Sequence, residues 1–274
     1  MAIGRPSFKK RLAQSTISAA SFLLATESTE NLLLGVGAYI SAMRGVGWSP
    51  SLEDEARCAA HCLREGCESL IIDAGANVGG WLKAFHQLVP RNAQIYAFEP
   101  QPAAAARIRE LAIDRCEVLE FALGEQTETR RFFTSQQSDS MASLFERHDT
   151  IARGRQYNAF DVPVIRLDDF VAQRSIRQID FMKMDLEGGE FQALRGATEC
   201  IKSSILRAFS FEFGISNVNS RVFFRDIYDF LMANNYEISR VTPARRLIPI
   251  ENYSEDHECF ARTTTFVARK RQEA

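Results

Sequence analysis

Three short apolar runs, each ending in an acid or a glycine and two of them followed at once by a helical pattern, constrain this chain more than any other feature. Ser69-Leu-Ile-Ile-Asp73 runs into glycines and then a helix pattern with Trp81, Phe85, Leu88 and Val89 on one face, ending at Pro90. Gln94-Ile-Tyr-Ala-Phe98 ends in Glu99, and Pro102 then opens an Ala-rich helix carrying Ile108 and Leu111. Cys116 to Leu123 ends at Gly124. Runs that are apolar throughout, rather than at alternate positions, belong to strands covered on both faces, and their alternation with amphipathic helices predicts a parallel sheet.

The pattern continues more loosely downstream. Arg130 to Thr134 and Val162 to Leu167 read as strands around a polar loop, residues 135–160. Ile179-Asp-Phe-Met-Lys-Met184 reads as a buried strand leading to Asp185-Leu-Glu-Gly-Gly-Glu190, followed by a helix with Phe191, Leu194, Ala197 and Ile201. A strand Ala208 to Phe211, a helix with Phe223, Ile227, Phe230 and Leu231, and a last strand around Thr263 to Val267 complete a doubly wound α/β domain. Upstream, Ser51 begins a helix with Asp54 at the capping-box position and Leu52, Ala56, Ala59 and Leu63 at helical spacing, stopped by Gly66. The expected division is a helical or irregular extension over residues 1–50 and the α/β domain over 51–274.

Composition narrows the class. Hydrophobic residues at 46% and charged residues at 25% are globular values, and 33 Lys+Arg against 35 Asp+Glu argue against a protein built to bind nucleic acid. Six cysteines are too few for a disulfide framework. Cys58, Cys62 and Cys67 surround His61, but Cys58-x-x-x-Cys62 fits one helix face and no C-x-x-C pair exists, so buried thiols are expected rather than zinc. A cytoplasmic location is the default. Lys9, Lys10 and Arg11 before Ile17–Ala25 look superficially like an export signal, yet the stretch carries Ser18 and Ser21 and is too short to span a bilayer. A second apolar run, Leu32–Ile40, is broken by Gly35 and Gly37. No integral membrane segment is expected, and the apolar extension could pack on a second subunit.

Ligands of open parallel sheets bind at the carboxyl ends of the strands. The first end reads Asp73-Ala-Gly75-Ala-Asn77-Val-Gly79, where Gly75 permits a tight turn and Gly79 a close helix start. Glu99 ends the second strand, twenty residues after Gly79, where a carboxylate can accept both hydroxyls of a ribose. A dinucleotide site wants G-x-G-x-x-G, but Asn77 occupies the middle position, and Asp73 would repel a pyrophosphate. An acid before the turn suits an amine-bearing ligand such as the methionine part of S-adenosylmethionine. Methyl transfer is therefore favoured over NAD-type hydride transfer and over a non-enzymatic module on the same fold.

Ile71-Ile-Asp-Ala-Gly-Ala-Asn-Val-Gly79, Ala97-Phe-Glu-Pro100, Val162-Pro-Val-Ile-Arg-Leu-Asp-Asp-Phe170 and Ile179 to Glu190, in this order and spacing, resemble the FkbM-type S-adenosylmethionine-dependent methyltransferases, from about Gly45-Val-Gly-Trp48 to about residue 241. The resemblance implies a class I methyltransferase fold and O-methylation of a saccharide, glycolipid or secondary-metabolite hydroxyl. It also implies that Asp73, Gly75, Ala76 and Gly79 line the methionine part with Asn77 close by, that Glu99 holds the ribose, and that Ala122 and Leu123 flank the adenine. Asp139-Ser-Met-Ala-Ser143-Leu144 sits where the family has a serine-rich segment beside the cofactor, with Ala142 where a second serine is frequent; Ser143 is the expected contact.

Asp185, at the end of the strand Ile179–Met184, is expected over the sheet edge. It could serve as general base for an acceptor hydroxyl or, with Glu212, as an oxygen ligand of a divalent metal, although no metal is predicted. His148, in the polar loop, is the alternative base. Glu190 is expected to cap the helix beginning near Gly189. Arg130-Arg131 and Arg245-Arg246 are expected on solvated faces.

Overall fold

The computed structural model describes residues 26–63, 69–88, 93–135 and 138–271, together with the isolated positions Gln14, Ile17, Ser18 and Ser21. Most of the stretch Ile17–Ala25, and Gly66, Cys67 and the expected helix end at Val89–Pro90, lie outside the described residues. Helix α1 (Glu27–Met43) is capped by Thr26 and has no buried residue. No described helix is long and apolar enough to cross a membrane. The chain then docks onto the domain: Arg44 O accepts from Arg240 Nε at 2.9 Å and Gly47 N–H donates to Thr264 Oγ1 at 2.7 Å. Helix α2 (Leu52–Ala60) starts at Ser51, whose hydroxyl accepts the Asp54 N–H at 3.2 Å, and buries Glu55, Ala56 and Ala59.

The described elements that follow are β1 (Leu70–Ala74), α3 (Gly80–His86), β2 (Gln94–Phe98), α4 (Pro102–Glu110), β3 (Cys116–Leu119), β4 (Ala122–Leu123), β5 (Glu128–Ser135), β6 (Ser138–Ser143) and β7 (Tyr157–Ile165). Then come α5 (Leu167–Arg174), β8 (Phe181–Met184), α6 (Glu190–Gly196), α7 (Thr198–Lys202), β9 (Ala208–Phe213), α8 (Asn217–Ser220), α9 (Phe224–Ala233), β10 (Tyr236–Val241), β11 (Leu247–Pro249) and β12 (Thr264–Lys270). The main sheet has eight strands in the order β11-β10-β12-β9-β8-β1-β2-β3. Strands β3, β2, β1, β8 and β9 run parallel, and β12 is inserted antiparallel between β9 and β10. Chain order reverses between β1 and β8, which is where an open α/β sheet forms its crevice. This is a doubly wound α/β fold with a mostly parallel central sheet.

Apolar runs become central strands because both faces are covered. Ile71 and Phe181 pack toward α2 and α3 with Ala56, Trp81 and Phe85. Ile72, Met182 and Phe209 pack on the other side with Phe170, Leu194 and Leu231. Each fully buried large side chain contributes on the order of 1.5–3 kcal/mol, so these two layers hold the strand ends in fixed relation.

Three expectations are corrected. The run Cys116–Leu123 is split: β3 joins the main sheet, whereas β4 joins a separate four-stranded sheet ordered β4-β7-β5-β6. The strands expected from 130–134 and 162–167 belong to that second sheet, and residues 135–160 are no continuous loop but contain β6, a short 3-10 turn at Thr150–Ala152 and the start of β7. The helix after Gly189 is two short ones, α6 and α7, meeting at Ala197; Gly196 leaves no room for a side chain, because a Cβ there would lie 1.9 Å from Gly124 O.

Candidate active site

A cleft opens above the carboxyl ends of β1, β2 and β8, where ligands of open parallel sheets bind. Gly75 and Asn77 line it from the turn after β1, Glu99 from the end of β2, and Asp185, Leu186 and Glu187 from the turn after β8. The second sheet supplies its far wall through Ala122, Leu123, Phe132 and Ala142.

The β1 turn is shaped by close approach. Gly75 has φ +80°, and a Cβ on it would sit 2.0 Å from Asp185 O, so only glycine lets the ends of β1 and β8 lie side by side. The N–H groups of Gly75 and Ala76 both donate to Phe98 O, at 3.0 and 3.1 Å, which pins the turn to β2. Asn77 follows in the left-handed region (φ 48°), and its N–H donates to Glu99 Oε2 at 2.8 Å. Gln101 N–H donates to the other oxygen, Oε1, at 2.9 Å. Burial raises the Glu99 carboxyl above its ordinary range, and these two N–H groups oppose the rise. An ionised carboxylate has about four lone-pair sites, so each oxygen keeps one for a ligand diol.

Two residues of the glycine turn lie off the cleft wall. Gly79 (φ +77°) does not line the cleft; a Cβ there would meet Leu111 Cδ1 at 2.6 Å, so the glycine serves the packing of α3 against α4. Ala76 is buried among Trp81 and Phe85. Asp73 is fully buried beneath the turn, and neither of its oxygens has a hydrogen-bond partner among the described residues. Its counter-ion is Lys183, with Nζ 3.7 Å from Oδ1, and burial raises the Asp73 carboxyl to about 6 against that cation's pull.

Asp185 is the most exposed carboxyl of the group, with 38% of its side chain accessible and Oδ2 3.2 Å from Lys183 Nζ. Glu55 from α2 and Glu212 from β9 also face Lys183. Burial raises Glu55 to about 7 and Glu212 well above the usual carboxylate range. Glu212 approaches Thr265 Oγ1 at 3.5 Å. Among the described residues no group of three or more His, Cys, Asp or Glu side chains converges as a metal site.

The segment after β6 is strapped to the β8 turn. Arg147, with 2% of its side chain accessible, donates from Nε to Asp149 Oδ2 and from Nη1 to Glu187 Oε2, both at 2.8 Å. Asn219 joins from α8, donating to Asp149 Oδ2 and accepting His148 N–H, again at 2.8 Å each. Ser143 does not line the cleft; its hydroxyl donates to Glu187 O at 2.9 Å and accepts Phe145 N–H at 3.1 Å, so it fastens the β8 turn. The His148 ring points to solvent, 75% accessible, with Glu146 at 3.7 Å, and lies off the cleft wall. Glu190 opens α6 as expected, but as a buried group: Oε1 accepts Leu186 N–H at 2.9 Å, and burial raises its carboxyl to about 8. Arg131 and Arg245 are exposed and pair with Asp161 and Asp54. Cys58 and Cys62 are free thiols; burial raises both, Cys58 to about 11, and Cys62 Sγ accepts from Arg269 at 3.1 Å.

Lys183 and Arg147 were not singled out from sequence. A lysine inside the apolar run of β8 is itself a signal, since charge in a strand covered on both faces needs a partner. Arg147 has no local signal, because Glu187 lies 40 residues away.

Residues 73–238, more than half of the chain, match the methyltransferase FkbM domain. The chain belongs to the FkbM methyltransferase family. Among curated proteins, it is 32% identical to the 2-O-methyltransferase NoeI of Sinorhizobium fredii over 51% of this chain and 61% of that protein. It is 26% identical to the 31-O-demethyl-FK506 methyltransferase FkbM of Streptomyces tacrolimicus over 50% of this chain and 64% of that protein. The matched regions thus span less than two thirds of those relatives' own length. Among solved structures, a SAM-dependent O-methyltransferase from Thermotoga maritima overlaps distantly, with TM-score 0.41 and 13% identity over 82% of this chain and 74% of that one.

Proposed function

We propose that this FkbM-family chain is an S-adenosylmethionine-dependent O-methyltransferase whose acceptor is a neutral, hydroxyl-bearing small molecule of the saccharide type. The observation that carries the reading is Asp185, a half-exposed carboxylate on the cleft wall that also carries Glu99. The residues fit the cofactor: Glu99 has acceptor capacity left for a ribose diol, Gly75 keeps the turn open, and the buried Asp73 oxygens and Asn77 Oδ1 have no hydrogen-bond partner among the described residues. Ala122, Leu123 and Phe132 supply an apolar wall for a flat base. When bound, S-adenosylmethionine supplies an electrophilic methyl group and departs as a neutral thioether.

Asp185 accepts the proton of the acceptor hydroxyl as the new O–C bond forms. Its Oδ2 is held by Lys183, which leaves Oδ1 for that proton. Proximity and orientation of the hydroxyl supply much of the rate. The strap of Arg147, Asp149 and Asn219 fixes the β8 turn beside which the acceptor lies. Charge supports a neutral acceptor: Asp185 and Glu187 face the cleft, while Lys183 and Arg147 are already spent on carboxylates. An anionic group would be repelled there.

The test is transfer of tritium from S-adenosyl-[methyl-³H]methionine to a panel of neutral mono- and oligosaccharides, sugar phosphates, uronates and amines. Label on a neutral saccharide hydroxyl is the expected result. Label on the anionic or amine acceptors alone would contradict the reading.

A further inference from the structure

Strand β8 is buried along its whole length, yet Lys183 lies in it with 3% of its surface exposed. Removing an ammonium from water costs several kcal/mol unless carboxylates compensate it. Two carboxylates compensate it directly, Asp185 Oδ2 at 3.2 Å and Asp73 Oδ1 at 3.7 Å, and the acidic groups of Glu55 on α2 and Glu212 on β9 also favour its ammonium. Glu187, two residues beyond Asp185, is held by Arg147 Nη1 at 2.8 Å. Lys183 is thus the element that ties the cleft carboxylate to the rigid layer beneath. Asp73, on β1, is immobilised by the strand pairing Asp73 with Lys183 in register.

We propose that Lys183 is the positioning residue of the acceptor site: by joining the buried Asp73 to Asp185 Oδ2, its ammonium holds Asp185 in one side-chain orientation with Oδ1 toward the cleft. The inference rests on the reading of Asp185 as the group that takes the hydroxyl proton. Without Lys183, the Asp185 side chain loses the hydrogen bond at Oδ2 and can rotate among its staggered orientations. A carboxylate displaced by about 1 Å loses on the order of a hundredfold in rate.

The test compares wild type with Lys183→Met and with Lys183→Arg, in three readouts. Calorimetric titration of the wild type with S-adenosylhomocysteine comes first; absence of binding would overturn the proposed reaction, and with it this role, before any variant is made. Side-chain couplings of Asp185, read by NMR in the S-adenosylhomocysteine complex, are expected to report one orientation in wild type and Lys183→Arg and averaging in Lys183→Met. With the saccharide labelled in the transfer assay, Lys183→Met is expected to lower kcat by about ten- to a hundredfold, at unchanged acceptor KM and S-adenosylhomocysteine affinity. Because Lys183→Met alone leaves Asp73 buried without a counter-ion, Asp73→Asn/Lys183→Met provides a neutral pair for the NMR reading should the single variant not fold. A single Asp185 orientation in the Met variants, or unchanged kcat with lowered thermal stability only, would reduce Lys183 to a structural charge and overturn the proposal.

Discussion

Glu190→Gln should make the protein more stable, and only above pH 5. The Glu190 carboxyl is 1% exposed at the start of α6; Oε1 accepts Leu186 N–H, and Oε2 has no partner among the described residues. Burial raises it from an ordinary value of 4.5 to about 8, with Asp185 and Glu187 adding to the rise. Below pH 4.5 the group is protonated in both folded and unfolded chains, and its contribution is fully present. As pH rises toward 8 the unfolded chain releases the proton while the folded chain keeps it, so stability falls by about 1.4 kcal/mol per pH unit. Between pH 4.5 and 7 the loss amounts to about 3 kcal/mol, reaching a plateau above 8. Glutamine keeps the acceptor for Leu186 N–H and has no proton to lose. Urea unfolding of both proteins at pH 5, 6, 7 and 8 reads the difference directly, since the neighbouring raised groups Glu55, Asp73 and Glu187 are common to both. A stability difference that stays constant within about 0.5 kcal/mol across that range would refute the reasoning.

Three further outcomes follow from the site. Glu99→Ala removes the carboxylate held by Asn77 and Gln101 N–H, and calorimetry should show S-adenosylhomocysteine affinity weakened by more than about tenfold, or about 1.4 kcal/mol; unchanged affinity would remove the ribose assignment. Asp185→Asn should leave that affinity within about threefold and lower turnover of a labelled acceptor by about a hundredfold or more, so turnover surviving intact would eliminate Asp185 as base. Gly75→Ala must place a Cβ 2.0 Å from Asp185 O at φ +80°, and is expected to lower thermal stability by more than about 1–2 kcal/mol and to weaken S-adenosylhomocysteine binding at the same time; a variant with wild-type stability would show that the β1 and β8 ends do not approach as described.

The parts of the fold legible in sequence were those set by burial on both faces. β1, β2 and β8 announce themselves as apolar runs, and α4 by its first-turn Pro102. The second sheet was hidden because β5 and β7 pair antiparallel across an insertion that sequence reads as a polar loop. Strand β10 is signalled only over Tyr236–Ser239, where buried Tyr236 and Ile238 alternate with more exposed Glu237 and Ser239, and the pattern is lost at Arg240 and Val241, which are both buried. In the site, Gly75, Glu99 and Asp185 were readable because they stand at strand ends, where ligands of such sheets bind. Gly79 and Ser143 stand beside the cleft wall rather than on it, packed by Leu111 and bonded to Glu187 O, partners that come from elsewhere in the chain and leave no local signal. Arg147 depends wholly on tertiary partners, and His148 faces solvent because its neighbours Arg147 and Asp149 take the inward positions.

The central claim is that the cleft between Gly75, Glu99 and Asp185 is an S-adenosylmethionine site. Calorimetric titration of the purified protein with S-adenosylhomocysteine, and in parallel with NAD, tests it most directly. Micromolar, one-to-one binding of S-adenosylhomocysteine, lost in Glu99→Ala, with no heat from NAD, is the predicted result. Binding of NAD alone, or of neither, would contradict it.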